Sequence, residues 1–405
     1  MNKEKLFIHG GKKAIQKDFP WPVVDVQVIK EFENLILSGA WGNPDCDGYV
    51  KKFEQEFAEY CGSDYALTTV NGSVALRIAL IASGVKPGDE VIVPPYTFIA
   101  TASIVVEANC IPVFVDISRE TYNIDPKKIE EAITEKTKAI IPVHFAGQAC
   151  DMDSIMSLAE KYNLKVIEDA CHAHGAEYRG RKLGTIGHTG CFSFQLSKNL
   201  TSGEGGIVIT NDKELYSTMN SLRNVGRVEG GEWYEHHFLG CNYRITPFQA
   251  LLLSHQLKRL EEQTTKRDQN GRYLSKLLND IEGIEPLTRG HGETKHSHHI
   301  FIFRYDPSKF NYLPKEEFVT ILASEGIPCF KGYPIPLYEQ IVFRDKNFFC
   351  YAIPESVNYK NCRCPNTEQA CRESVWILQN AMLGEKEDME RIAHAIIKIQ
   401  NYYQT

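Results

Sequence analysis

The sequence predicts an α/β protein: a mixed, mostly parallel sheet covered on both faces, followed by a smaller C-terminal α+β domain. Three observations predict it. Short apolar runs such as "EVIVP", "IPVFVD" and "KAIIPVHF" lack polar alternation, so both of their faces are buried. From about residue 50 such runs alternate with segments of helical period. After "GGIVITND" the pattern changes to long helical stretches with few strands.

In chain order, residues 1–25 read as an irregular arm containing Pro20 and Pro22. "GSVALRIALIASG" reads as an apolar helix closing at Gly84. "EVIVP", "IPVFVD" and "KAIIPVHF" are strands. "MDSIMSLAEKYNL" is a helix with Ile155, Leu158, Ala159 and Tyr162 on one face. "LKVIEDA" is the next strand. A long helical stretch from "TPFQALLL" onward is expected to break near Gly271. A strand at "HHIFIFRY", a helix around 315–325 and a closing amphipathic helix with Met389, Ile392, Ala393 and Ile396 complete the chain. The expected division is an arm (1–25), a large domain (26–260) and a small domain (261–405), which a chain of 405 residues can supply.

Composition narrows the function. Hydrophobic residues make up 43% and charged residues 24%, with a net charge of −7. Nucleic acid and anionic membrane surfaces call for a basic footprint that is absent here. No apolar run reaches the roughly 18 residues of a membrane span. The twelve cysteines are irregularly placed, with Cys171 and Cys191 expected in buried strands. The N-terminal "MNKEKLFIHGGKK" lacks an apolar core, so reduced thiols and a cytoplasmic location are expected. The C-x-C of Cys362 and Cys364, with Cys371, falls short of a zinc signature. In "HGETKHSHH", His296 and His298 share a face while His299 points away. With His291 they read as surface or substrate-loop histidines, and no metal is expected.

Open α/β sheets bind ligands at the carboxyl ends of their strands. Three such ends carry chemistry: Asp169 and His172 in "VIEDACHAHG", Ser193 and Lys198 in "FSFQLSKNL", and Asn71, Gly72 and Ser73 opening the helix of "VNGSVAL". Singly, each has a plainer reading. An acid can cap a helix, a histidine can be a satisfied polar residue, a lysine can pair with a surface acid, and glycines 203 to 206 can form a tight turn. Those glycines precede a strand, which is the wrong position for a dinucleotide fingerprint. Together the residues suit pyridoxal 5'-phosphate. That cofactor needs an amine for its Schiff base, a carboxylate beside its pyridine nitrogen and donors for its phosphate. Desolvation lowers a lysine's pKa toward neutrality, and a helix start offers N–H groups to a phosphate.

The motifs "NGSVALRIAL", "VIVPPYTFIATA", "PVHFAGQACDM", "EDACHAHGA", "FSFQLSKNLTSGEGGIVITND" and "NYRITPFQALLL", in that order, resemble the DegT/DnrJ/EryC1/StrS family of sugar and cyclitol aminotransferases. The resemblance implies the aspartate aminotransferase-like fold (fold type I). It implies Lys198 as the Schiff-base lysine, Asp169 at the pyridine nitrogen, His172 near the ring hydroxyl and Phe98 stacked on the ring, although core packing is the alternative for Phe98. It implies Gly72, Ser73 and Ser193 as phosphate ligands, with Asn242 reaching the phosphate from a partner subunit, hence a homodimer with a shared site. The implied reaction moves an amino group from L-glutamate or L-glutamine to a sugar or cyclitol ketone in two stages. Dehydratase relatives carry histidine where this chain has Lys198. Trp41, in the glycine-rich "SGAWGNPDCDG", resembles relatives acting on inosose-type cyclitols and keto sugars. In "KGYPIPLYEQ", Tyr338 replaces the family's histidine; Tyr333 and Tyr338 either bond polyol hydroxyls or pack at the domain junction. The rival readings are a dehydratase, an aromatizing synthase akin to 3-amino-5-hydroxybenzoate synthase, and a non-catalytic regulator that binds the cofactor.

Overall fold

The computed structural model describes residues 4–24, 26–42 and 48–404. Residues 43–47 of "SGAWGNPDCDG" therefore lie outside the described residues. The strands in chain order are β1 (Tyr65–Thr69), β2 (Glu90–Val93), β3 (Ile111–Phe114), β4 (Thr137–Ile140), β5 (Lys165–Asp169), β6 (Glu177–Tyr178), β7 (Arg181–Lys182), β8 (Thr189–Ser193) and β9 (Gly206–Thr210). The C-terminal part adds β10 (Ile284–Pro286), β11 (Glu293–Lys295), β12 (Ile300–Tyr305), β13 (Cys329–Phe330) and β14 (Ser374–Leu378).

Seven strands form one sheet in the order β1-β9-β8-β5-β4-β2-β3. The pairs β2–β3, β2–β4, β4–β5 and β5–β8 are parallel, and β9 alone runs the other way, between β8 and β1. The missing alternation has its explanation in the packing. Ile92, Ile140, Val166, Phe192 and Ile207 enter one apolar cluster, while their neighbours Val91, Ala139, Ile167, Cys191 and Val208 enter another. Both faces are thus dry. On one face the rings of Phe53 and Phe57, from the helix Tyr49–Cys61, meet Phe194 and Phe192 edge-on at 5.5 and 5.2 Å. Each such ring contributes about 1.5–3 kcal/mol by leaving water.

The second sheet is antiparallel, in the order β10-β12-β14-β13. The closing helix Lys386–Tyr403 lays Met389, Ile392, Ala393 and Ile396 into its core. The arm is fastened rather than loose. Leu6 and Ile15 join that same core, and buried Glu325 accepts the N–H groups of Phe7 and Ala14 at 2.9 and 3.0 Å. The helix Gln27–Ser38, which the sequence reading did not foresee, seats Val28 and Leu35 against Leu251.

The expected break at Gly271 does not occur: Pro247–Leu278 is one helix of 32 residues. The expected boundary at 260 falls inside it. Leu253, Leu257 and Leu260 pack on the seven-stranded sheet, and Leu274 and Leu278 on the other. Gly271 serves packing instead of a break. A Cβ there would stand 2.5 Å from Cε1 and 2.6 Å from Cδ2 of the His298 ring. Gly271→Ala should therefore lose stability, although alanine is the better helix former by about 1 kcal/mol, because overpacking costs about 1–3 kcal/mol. The expected result is a lower urea midpoint for the apoprotein; a raised midpoint would mean that the imidazole moves aside freely.

Candidate active site

The rim where the parallel strands end gathers most of the expected residues. Thr69 of β1 and Ser193 of β8 both pair with Gly206, and Asp169 of β5 pairs with Cys191. The helix Gly72–Ala82 starts on this rim, capped by Asn71, whose side chain accepts the N–H of Val74 at 2.9 Å. The N–H groups of Gly72 and Ser73 have no partner within the helix and sit at its positive end. A Cβ at position 72 would stand 2.7 Å from Ser193 Cβ and 3.0 Å from Cys171 Sγ. Glycine thus lets the helix start approach Ser193 and make an anion cradle. Gly72→Ala is expected to weaken cofactor affinity about tenfold or more, equivalent to about 1.4 kcal/mol, read from absorbance titration of the apoprotein.

Asp169 is buried, and both of its carboxylate oxygens have donors. The Thr101 hydroxyl donates to Oδ2 at 2.8 Å and the Cys171 N–H to Oδ1 at 3.2 Å. Thr101 escaped the sequence reading although it lies three residues after Phe98. Cys171 itself sits in the turn beyond β5, not inside the strand as expected. The preceding residue, Glu168, faces the other way and holds the frame. It accepts N–H groups from Gly184 and Ile186, each at 2.7 Å, and bonds His144 Nε2 at 2.9 Å. Burial would raise the Glu168 pKa, but His144 and the N–H donors outweigh burial and hold it below the usual carboxylate value. His144 Nδ1 accepts the Cys150 N–H at 3.2 Å, so Nε2 carries the proton toward Glu168.

Lys198 lies in the turn after β8. Its N–H donates to Gln195 O at 2.9 Å. Gln195 Oε1 accepts from Ser197 N and Oγ, and Asn199 Nδ2 bonds Ser297 O at 2.7 Å. Trp21 of the arm closes over the turn, with Nε1 donating to Leu196 O at 2.9 Å. Burial lowers the Lys198 pKa from its ordinary value, against a smaller opposing pull from Cys171 and Asp169. A larger share of neutral amine at physiological pH follows.

His172 is buried beside this lysine. Ala146 N–H donates to its Nδ1 at 3.3 Å, which leaves Nε2–H as its donor. Burial, and then the Lys198 charge, hold its pKa well below the ordinary histidine value. The His299 ring lies 4.3 Å from it. Here the sequence expectation fails: His296, His298 and His299 are buried, not surface residues, because the strand they enter is a central strand of the second sheet. Of these four histidines only His291 is exposed.

Phe98 is 58% exposed at the rim, which removes core packing as its role. Tyr333 packs 4.8 Å from Trp376 and 5.6 Å from Tyr96. Its ring also lies 6.1 Å from that of Phe145, which lies 5.5 Å from His172, so this phenol borders the site, and burial with Asp169 raises its hydroxyl pKa. Tyr338 does not. It is 1% exposed, its hydroxyl donates to Glu368 at 2.8 Å and accepts the Cys364 N–H at 3.2 Å, and its ring packs on Phe114. Substrate contact by Tyr338 is replaced by core packing. Asn242 is exposed beside its bridge to Asn224, and Trp41 is 54% exposed, with Nε1 bonded to Ile36 O at 3.1 Å. The donor set fits pyridoxal phosphate: an amine of lowered pKa, a fixed carboxylate, an exposed aromatic ring and a cradle that a Cβ would fill.

Among the described residues no helix is long and apolar enough to cross a membrane. The model of the DegT/DnrJ/EryC1/StrS aminotransferase family matches residues 24–397. The L-glutamine:2-deoxy-scyllo-inosose aminotransferase of Streptomyces paromomycinus is 34% identical, over 97% of each chain. The crystal structure of a 3-amino-5-hydroxybenzoic acid synthase superposes with a TM-score of 0.87 at 32% identity, covering 96% of this chain and 100% of the other. An aminotransferase structure from Psychrobacter cryohalolentis gives 0.85 at 33% identity, covering 95% and 99%. The fold is therefore that of the fold-type-I pyridoxal-phosphate enzymes, with the mixed, mostly parallel sheet already described. With its family model matched over most of its length, the chain belongs to the DegT/DnrJ/EryC1/StrS aminotransferase family and is a pyridoxal-phosphate-dependent aminotransferase.

Proposed function

We propose that the protein moves an amino group from L-glutamine or L-glutamate to a ring ketone of a cyclitol or sugar of the inosose or keto-sugar type. The observation that carries this is the meeting of Lys198 with a doubly held Asp169 at the rim that Gly72 and Ser193 close. Bound pyridoxal phosphate supplies an electron-withdrawing ring next to the reacting carbon. Lys198 would take the proton from the donor's carbon and return it on the cofactor side, a role its lowered pKa suits. Asp169 would face the ring nitrogen, and Nε2–H of His172 would donate to the ring oxygen. Gly72, Ser73 and Ser193 would hold the phosphate, and Phe98 would cover the ring. Tyr333 would meet a substrate hydroxyl.

Asn242 of the partner subunit completes the phosphate site in a homodimer. The exposed apolar side chains of Val26, Leu37, Trp41 and Phe98 support such a partner, which would cover them. The inosose substrate rests on the similarity to the Streptomyces paromomycinus enzyme. The synthase likeness supports a second reading, loss of water from an amino-cyclic ketone. A non-catalytic regulator would have no use for the amine that this rim preserves.

The test uses the holoenzyme. L-glutamine or L-glutamate alone should bleach its visible absorbance, and one member of a ketone panel should restore it with release of an aminated product. A band that neither donor bleaches, or a product that has lost water without gaining nitrogen, would remove this reading.

A further inference from the structure

A cavity of about 310 Å³ opens between the C-terminal half of the long helix, the start of β12 and the turn at Ala146–Gln148. Its volume lies at the lower end of the range for small-molecule sites, about 300–1,000 Å³. Neither Lys198, Asp169 nor His172 lines it.

Its wall is built at a local cost. His298 has a φ of +43°, a left-handed conformation that a residue with a Cβ seldom adopts. Gly271, in mid-helix, leaves room for the His298 ring. The ring is stacked on His296 at 3.7 Å with an interplanar angle of 2°. His298 is 6% exposed, and among the described residues neither of its ring nitrogens has a hydrogen-bond partner. Burial, with Arg289 and Arg272 added and only Asp268 opposing, lowers its pKa to about 3. The ring is therefore neutral, and its Nε2 edge packs against Gly271, so it forms wall and not a polar contact.

The charge identifies the class of occupant. Arg272, Lys276 and Arg289 line the cavity, and no carboxylate does. Both guanidiniums share one acid, Asp268, at 2.9 and 2.5 Å. Arg289 also meets Glu293 at 3.0 Å, but burial raises the Glu293 pKa to about 7 and weakens that countercharge. Lys276 makes no ion pair among the described residues. Ile300, Ile302 and Leu287 supply an apolar wall.

We propose that this cavity binds a small anion: a phosphate or carboxylate head held at Lys276 and the guanidiniums, on a short body that lies along the wall of Leu287, Ile300 and Ile302. The site is separate from the catalytic one but touches it, because Ala146 lines the cavity and holds His172 through its N–H.

The test is calorimetric titration of the holoenzyme at saturating pyridoxal phosphate, which keeps the phosphate cradle of the active site filled. The probes are inorganic phosphate, glycerol 3-phosphate and malate, with glycerol as the neutral control. Either the phosphate arm or the carboxylate arm should bind with a Kd of about 1 mM or tighter. Added salt should weaken it. Lys276 is exposed, so its variants keep the fold: Lys276→Ala should weaken binding severalfold and Lys276→Glu at least about tenfold. Silence in all three anion arms, or binding that ignores both variants, overturns the proposal.

Discussion

Lys198→Ala is expected to lower kcat/KM by at least about 10⁴-fold, the upper range for a lost acid–base group, because in the proposed role the same amine would also hold the cofactor. The visible absorbance of the bound cofactor should vanish with it. Lys198→Arg should not rescue either property: a guanidinium does not deprotonate near neutral pH. A stability measurement separates this loss from unfolding. An unfolded lysine keeps its proton up to about pH 10.4, whereas burial makes folded Lys198 release it at a lower pH. Between those two values the unfolded chain binds more protons, so stability rises with pH there, and below them the full cost of burying the charge remains. Lys198→Met removes that cost. The apo variant should melt at a higher temperature than the apo wild type at pH 7, with the gap closing as the pH approaches 10.4. An apo variant that melts lower at pH 7 would mean that the amine is stabilised by contacts other than those described.

The strand ends were legible because they depend on local pattern. Three runs without alternation declare a sheet buried on both faces, and such a sheet presents the residues that follow its strands on one rim. Asp169, Ser193 and the start of the Gly72 helix come together for that reason alone. What stayed illegible depends on pairs distant in sequence. Gly271 reads as a helix breaker until the ring of His298, 27 positions later, is seen occupying the space of the missing Cβ. The histidines read as surface residues because their neighbours "HGETK" are polar, and only the place of β12 between β10 and β14 buries them. Tyr338 sits where a family pattern puts a substrate contact, but Glu368, 30 positions on, takes its hydroxyl. The helix Gln27–Ser38 carries Val28, Phe32 and Leu35 at helical spacing, so its period was there to be read, although only Val28 and Leu35 are buried. Thr101 was hidden by its type, since a threonine at a helix start more often serves the backbone than a carboxylate.

Asp169→Asn should then lower kcat by about 10²–10³-fold with little change in KM, because in the proposed role it would remove a fixed charge that acts only while charge develops in the ring. The replacement is isosteric and the site is buried, so packing would be preserved while the proposed countercharge of the pyridine nitrogen would be lost. Thr101 sharpens the argument. Its hydroxyl is one of two donors that fix the carboxylate, so Thr101→Val should act through Asp169 and cost less, about tenfold. Thr101→Ser, which restores the donor, should recover most of that loss. A merely structural threonine would instead lower the melting temperature without moving the pH dependence of the cofactor spectrum, and valine and serine would then not be ordered by their hydroxyl. If Asp169→Asn keeps kcat within about tenfold of the wild type, the charge at this position is not what activates the ring. The holding of both its oxygens by Thr101 and Cys171 would then be a feature of the fold, and the roles assigned to the rim would have to be built again from Lys198 alone.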